Sequence, residues 1–318
     1  MEVRKVNGFF IIFVIGYIGL SVVCASIMAY AQNSGIAVPD WIQYVMSEGI
    51  ILLIAIIYMI VQKIDPIREI PYKRIGIVDV ILSLVAGYCL IPAVLLISNL
   101  SMLFSTNYLE EGTTTLLTYP FAMQVILLAV IPPLVEELIF RGIFFGSYRK
   151  AGMTGAALMS GLLFGCFHLN INQALYAFVM GIVFAYMVEA TGSLWSSVIA
   201  HFAVNTYSIG IVQILKMAGI YAQDGSVSET FENAESVAGQ STAVTVVQIA
   251  MIAVIAAVFM MLAVLCIRTM AKRHGNLEKM KIQKVKLSHI KNYFTAPVIV
   301  GIVVCVIYMI MLEFSGTL

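Results

Sequence analysis

The stretch VIPPLVEELIFRGIFFG, residues 130–146, places Glu136, Glu137 and Arg141 inside an otherwise apolar run. A charged residue at the centre of a membrane helix costs about 2.5–3.5 kcal/mol on insertion scales, so such groups are kept for a purpose. Outward from this stretch the rest of the chain is just as apolar. Its 318 residues are 61% hydrophobic and 11% charged, with a mean hydropathy of +0.98. That composition excludes an ordinary soluble domain. A hydrocarbon core of ~30 Å takes ~20 apolar residues per helix. Runs of that kind recur at 8–30, 42–62, 76–99, 121–145, 154–168, 173–189, 194–215, 243–267 and 295–313. The fold class expected is all-α, a polytopic transmembrane bundle of about nine helices, the fifth and sixth short.

Lysine and arginine are unevenly spread between the connecting segments. Nine spans put the N-terminus, QKIDPIREIPYKR, SYRKAG and the tract from Arg268 to Lys291 on one side, together with sixteen of the eighteen basic residues. The other side receives NSGIAVPDW, STNYLEEGTTT and the acidic QDGSVSETFENAES. Positive loops stay cytoplasmic. The N-terminus is therefore expected in the cytoplasm and the C-terminus outside, in the plasma membrane, with the loop 219–241 solvated. The first apolar run exceeds the usual signal-peptide core, and an uncleaved first helix is expected. The five cysteines lie inside apolar spans without CxxC spacing and carry no redox information. The basic tract reads as a topology-fixing loop that can also meet anionic headgroups.

The intramembrane ionisable groups gather in consecutive spans. Besides the opening three, the apolar runs contain Glu48, Asp79, His168 and His201. With 3.6 residues per turn, Glu137 and Arg141 share a face and can pair, while Glu136 points about 100° away and is left free. Pro132 and Pro133 remove backbone donors one turn upstream. In GLLFGCFHLN, Phe164 and His168 share a face, and Gly161 and Gly165 allow a close helix approach. In LWSSVIAHFAVNTY, His201 and Asn205 project from one helix toward one point. Counting ~1.5 Å per residue from the basic side places Glu136, His168 and His201 at ~20, ~21 and ~12 Å depth. These depths suit one cavity opening toward the basic side.

Such a cavity suits hydrolysis of an amide by water. A carboxylate in low dielectric is strengthened as a general base near neutral pH, which is the role read for Glu136. His168 holds or polarises the same water. His201 and the Asn205 amide can donate to the oxyanion, and Glu137 with Arg141 orients the helix. One Glu and two His, Glu136, His168 and His201, could instead hold a zinc ion with an open position. No HExxH is present, and no second base is evident if Glu136 becomes a ligand, so a mechanism without cofactor is preferred and a divalent metal stays open.

These residues resemble the CPBP intramembrane proteases, which include CaaX-processing endopeptidases and bacteriocin-processing or self-immunity proteins. EELIFRG is similar to the family's EExxxR motif, FGCFH to FxxxH and HFAVN to HxxxN, with EATGSLWSSVIAH as the lead-in to the last. The resemblance implies catalytic positions at Glu136, His168, His201 and Asn205, with Glu137, Arg141 and Phe164 in support. It divides the chain into N-terminal helices (1–117), a CPBP-like catalytic core (118–208) and C-terminal helices (209–318). It implies a membrane-associated peptide or protein as substrate, with the lipid bilayer as the other partner and no nucleic acid. Family descriptions as metalloproteases and as glutamate-dependent proteases both stay open here. A catalytically silent scaffold or regulator is the alternative. A secondary transporter fits less well, because the polar groups form one block without a second copy.

Overall fold

The computed structural model describes residues 2–106, 118–219, 242–282, 285 and 287–315. Among these residues every regular element is helical. We number the apolar helices α1 (Val3–Asn33), α2 (Trp41–Val61), α3 (Ile77–Ser101), α4 (Phe121–Ala151), α5 (Met153–Phe167), α6 (Ile171–Thr191), α7 (Trp195–Met217), α8 (Thr242–Arg273) and α9 (Ala296–Ser315). Among the described residues eight are long and apolar enough to cross a membrane, and α5 is shorter. A bilayer offers no water to the backbone, so helices that satisfy their own N–H and C=O groups are what these apolar runs can form. The nine expected runs are all present. The sixth corrects the sequence reading, since α6 runs for 21 residues rather than stopping short. Its length is set by caps: the Asn170 side chain accepts from Gln173 N at 3.1 Å, and Gly192 ends it at φ +69°. The acidic sequence between α7 and α8, with the solvated loop expected there, lies outside the described residues after 219.

Packing divides into two apolar clusters. One joins α1, α2, α4 and α5 through Phe9, Phe13, Phe140, Phe144 and Phe167, with Phe13 and Phe167 stacked at 4.6 Å between ring centroids. The other joins α3, α6, α7 and α8 around Leu90, Phe184, Ala200 and Ile267. Lipid tails are as apolar as these side chains, so association depends on close packing rather than on hydrophobic drive. The small residues supply it. A Cβ built on Gly161 would come within 2.8 Å of the Phe178 carbonyl, and one on Gly165 within 2.5 Å of the Ala174 carbonyl, both on α6. The expected close approach at this stripe is present. The same stripe does not continue through Gly142, which meets Ile70 of the α2–α3 connection.

Polar ties hold the basic end. Tyr148 donates to Asn7 Oδ1 at 2.6 Å, and Asn7 Nδ2 donates to the Asn292 carbonyl at 2.9 Å, fastening α1 to α4 and to the approach to α9. Leu194 N donates to the Pro71 carbonyl at 2.8 Å, and Ser193 Oγ donates to the Lys73 carbonyl. Those bonds pin the α2–α3 connection beneath the start of α7.

The α3–α7 contact yields a test. A Cβ on Gly87 would sit 2.4 Å from the Ala200 carbonyl and 2.8 Å from Ala203 Cβ. Gly87→Val is expected to force the helices apart at a cost of about 1–3 kcal/mol, read as a lower unfolding temperature of the detergent-solubilised protein. An unchanged temperature would mean that the helices do not meet here.

Candidate active site

The opening stretch folds as an irregular helix. Residues Val125–Val130 and Leu138–Phe145 are wound as π turns on either side of an α segment, Ile131–Glu137. Such turns appear where the regular bonding ladder is interrupted, and for the first of them the cause is Pro132–Pro133. The Leu128 carbonyl would receive its α donor from residue 132 and its π donor from residue 133. Neither proline has an N–H. Asn205 of α7 fills the gap, its Nδ2 donating to the Leu128 carbonyl at 2.9 Å.

Glu137 and Arg141 pair as their spacing requires, Nη1 to Oε1 at 2.9 Å, and both side chains are fully buried. The same Oε1 accepts from His201 Nδ1 at 3.1 Å. Arg141 also lies between two aromatic faces, its guanidinium carbon 4.2 Å from the Phe164 ring centre and 5.2 Å from that of Phe184. Gly181 leaves room for it, since a Cβ there would be 3.1 Å from Nη2. Cation–π attraction of this kind is worth about 2 kcal/mol when desolvated, and it answers for guanidinium nitrogens that have no hydrogen-bond partner.

Tautomers follow from these partners. A carbonyl only accepts, so the 2.8 Å contact of His168 Nδ1 with the Phe164 carbonyl makes Nδ1 the donor. Nε2 of the neutral ring is then a lone-pair acceptor. His201 likewise donates from Nδ1 to Glu137, and its Nε2 stands 3.7 Å from Glu136 Oε2. That separation is too long for a hydrogen bond, and Glu136 Oε2 has no hydrogen-bond partner. As a neutral ring, His201 cannot donate from Nε2. It does so only with two protons.

Glu136 and His168 face a common cavity of about 600 Å³. The far wall comes from Tyr17, Ser21, Ser47 and Glu48 of α1 and α2, with Tyr308 of α9. The expectation of a cavity toward the basic side is corrected here. Its walls are the second half of α1, the first half of α2, the end of α9 and the α5–α6 turn, all in the half of the bundle away from the basic connections. The reason is the length of α5, whose 15 residues rise ~22 Å and stop short of a ~30 Å core. Leu169 ends it at φ +53°, a left-handed conformation that costs a non-glycine residue about 1–2 kcal/mol. His168 therefore lies at a helix end that forms one wall of the cavity.

The structure thus brings Glu136, Glu137, Arg141, Phe164, His168 and His201 together, with two of them at the cavity and the rest behind. Asn205 is turned to a backbone carbonyl. A zinc ion would need Glu136, His168 and His201 to converge. Both histidines donate from Nδ1, which leaves Nε2 as the only ring nitrogen either could offer an ion, but among the described residues no three His, Cys, Asp or Glu side chains come together as a cage. The set as placed does not fit the ion. Sequence reasoning missed Phe184 and Gly181, which belong to no motif. It registered Glu48 only as an intramembrane charge, and that was the available signal.

A helical membrane bundle with a buried glutamate–histidine centre is the class that fold and site define. Residues 118–207 match the family model described as type II CAAX prenyl endopeptidase Rce1-like. That segment is similar to this family of membrane peptidases. The chain is also similar to "Putative membrane peptidase YdiL" of Bacillus subtilis (strain 168), at 33% identity over 88 residues, which are 27% of this chain and 36% of that protein. The match therefore spans about a third of the relative's length. No solved structure matches. The chain is an integral membrane protein with eight candidate spans.

The proline gap yields the second test. Asn205→Ala leaves the Leu128 carbonyl without a donor, at an expected cost of about 1–3 kcal/mol. Adding Pro132→Ala returns a backbone donor, so the double variant should recover most of the lost unfolding temperature. Equal instability of the single and double variants would disconnect Asn205 from the break.

Proposed function

We propose that this chain is an intramembrane endopeptidase that hydrolyses a peptide bond of a membrane-associated protein or peptide. One observation carries the reading: Glu136, one of whose carboxylate oxygens is buried without a hydrogen-bond partner, lines the same cavity as His168, whose Nε2 is left as an acceptor. A water between them would donate one hydrogen to each. Glu136 takes a proton as the water oxygen attacks the carbonyl carbon, and it returns that proton to the amine as the C–N bond breaks. His201 turns Nε2 toward the reacting carbonyl, with Glu137 accepting from Nδ1 and keeping the ring's orientation as the carboxylate of a triad does. Asn205 acts by holding the proline-broken helix that carries Glu136. No metal enters this scheme.

The expected consequence is that Glu136→Gln lowers cleavage at least ~100-fold while leaving expression and unfolding temperature near wild type. Activity of the purified enzyme should survive exhaustive chelation. Near-normal cleavage by a well-folded Gln variant would remove the mechanism. Stoichiometric zinc that disappears in His168→Ala would replace it with a metal-assisted one.

Orientation bears on the substrate. The positive-inside rule assigns the connections around Lys63–Arg74 and Arg149–Lys150 to the cytoplasm, so the cavity lies in the outer half of the membrane. Exported peptides or the outer ends of membrane helices reach it more directly than cytoplasmic chains do. In a variant lacking the native cysteines, Ile36→Cys should react with an impermeant maleimide in intact cells, and Ile67→Cys only after permeabilisation. Both positions are exposed. The reverse pattern would turn the cavity toward the cytoplasm.

A further inference from the structure

We infer that Glu48 makes this cavity selective for a cationic peptide, seating a lysine or arginine side chain, or a free ammonium group, beside the bond to be cut. The inference rests on the reading of the cavity as a peptidase site. It adds the substrate class.

Two carboxylates line one cavity. Glu48 projects from α2 and Glu136 from α4, and each has an oxygen buried with no hydrogen-bond partner. Among the described residues no lysine or arginine lines the cavity. Of the motif's basic groups, Arg141 is committed to Glu137 and held between Phe164 and Phe184, and His201, which also serves Glu137 and stands 3.7 Å from Glu136, does not line the cavity. His168 is the other ionisable group of the wall besides tyrosines, and its Nδ1 is engaged by the Phe164 carbonyl. Burying an uncompensated carboxylate is costly, so a charge of the opposite sign is what the wall lacks.

The remaining wall suits such a guest. Tyr17 and Ser47 are hydrogen-bonded at 3.0 Å, which orients the Tyr17 hydroxyl alongside Glu48. Aromatic rings at Tyr17, Tyr44 and Tyr308 offer faces that attract cations. A purely apolar guest would strand these groups as well as both acids. All of these residues lie on α1, α2 and α9, outside the segment 118–207 that matches the family. The selectivity is therefore a property of this chain's own flanking helices.

The experiment uses full-length protein in liposomes and internally quenched decapeptides that differ at one position, carrying lysine, norleucine or glutamate at each place around the cleaved bond. A charged hydrogen bond is worth enough for a tenfold effect or more. Wild type should favour lysine over norleucine at least about tenfold in kcat/KM at one position. Glu48→Gln should bring that ratio to within about twofold, and Glu48→Asp should keep part of it. Equal handling of lysine and norleucine at every position overturns the inference, and that is also the outcome if the two carboxylates share a proton instead. A tenfold preference that persists in Glu48→Gln overturns it too. Anisotropy of fluorescein-labelled peptides on the Glu136→Gln protein separates the two readings. A Glu48-dependent preference for lysine in binding, with no cleavage by wild type, would retain the cation site and remove the peptidase.

Discussion

The carboxylate of Glu137 is the point on which the rest of this structure depends. One of its oxygens takes hydrogen bonds from both Arg141 on its own helix and His201 on α7. Removing Arg141 or the carboxylate leaves a buried charge without compensation, a loss of about 3–5 kcal/mol for a pair of this kind. The geometry has a chemical result as well. By occupying Nδ1 of His201, Glu137 turns Nε2 toward Glu136, and by neutralising Arg141 it prevents the guanidinium from capturing Glu136. Two adjacent glutamates thus acquire opposite roles. One is fully buried with a single oxygen serving two donors, and the other lines a cavity.

Irregular backbone makes this arrangement fit. The prolines open the helix just before the glutamate pair, and α7 repairs the opening with the Asn205 amide. The short helix α5 ends in a left-handed residue and delivers His168 to the cavity. Non-helical backbone is tolerated at membrane depth where protein or a cavity supplies its partners, and both departures meet that condition. The close contacts of α6 with α5 support them, since the glycines at 161, 165 and 181 bring the aromatic faces of Phe164 and Phe184 onto Arg141.

The segment that matches the family carries Glu136 and His168 to the cavity, and the helices around it supply much of the remaining wall. Glu136, His168 and His201 lie within 118–207, whereas Tyr17, Ser47, Glu48 and Tyr308 come from outside it. Proteins that share the segment can thus share chemistry and differ in what they admit. Here the added wall is polar and acidic.

Much of this was legible in the sequence because membranes impose a strong and simple grammar. Nine apolar runs meant nine helices, since in lipid the backbone must bond within its own segment. The four-residue spacing of Glu137 and Arg141 meant a pair, because the helix repeat allows little else. The tertiary structure decided what depends on other helices. It showed that His201 serves Glu137, that Asn205 answers a proline gap on another helix, and that Phe184 and Gly181 complete the arginine's enclosure. It also moved the cavity to the half away from the basic connections, because a chain gives helix lengths and not where their ends lie against one another. Glu48 illustrates the division best: its sequence position marked it as a charge in an apolar span, and only the packing of α2 beside α4 placed it across a cavity from Glu136.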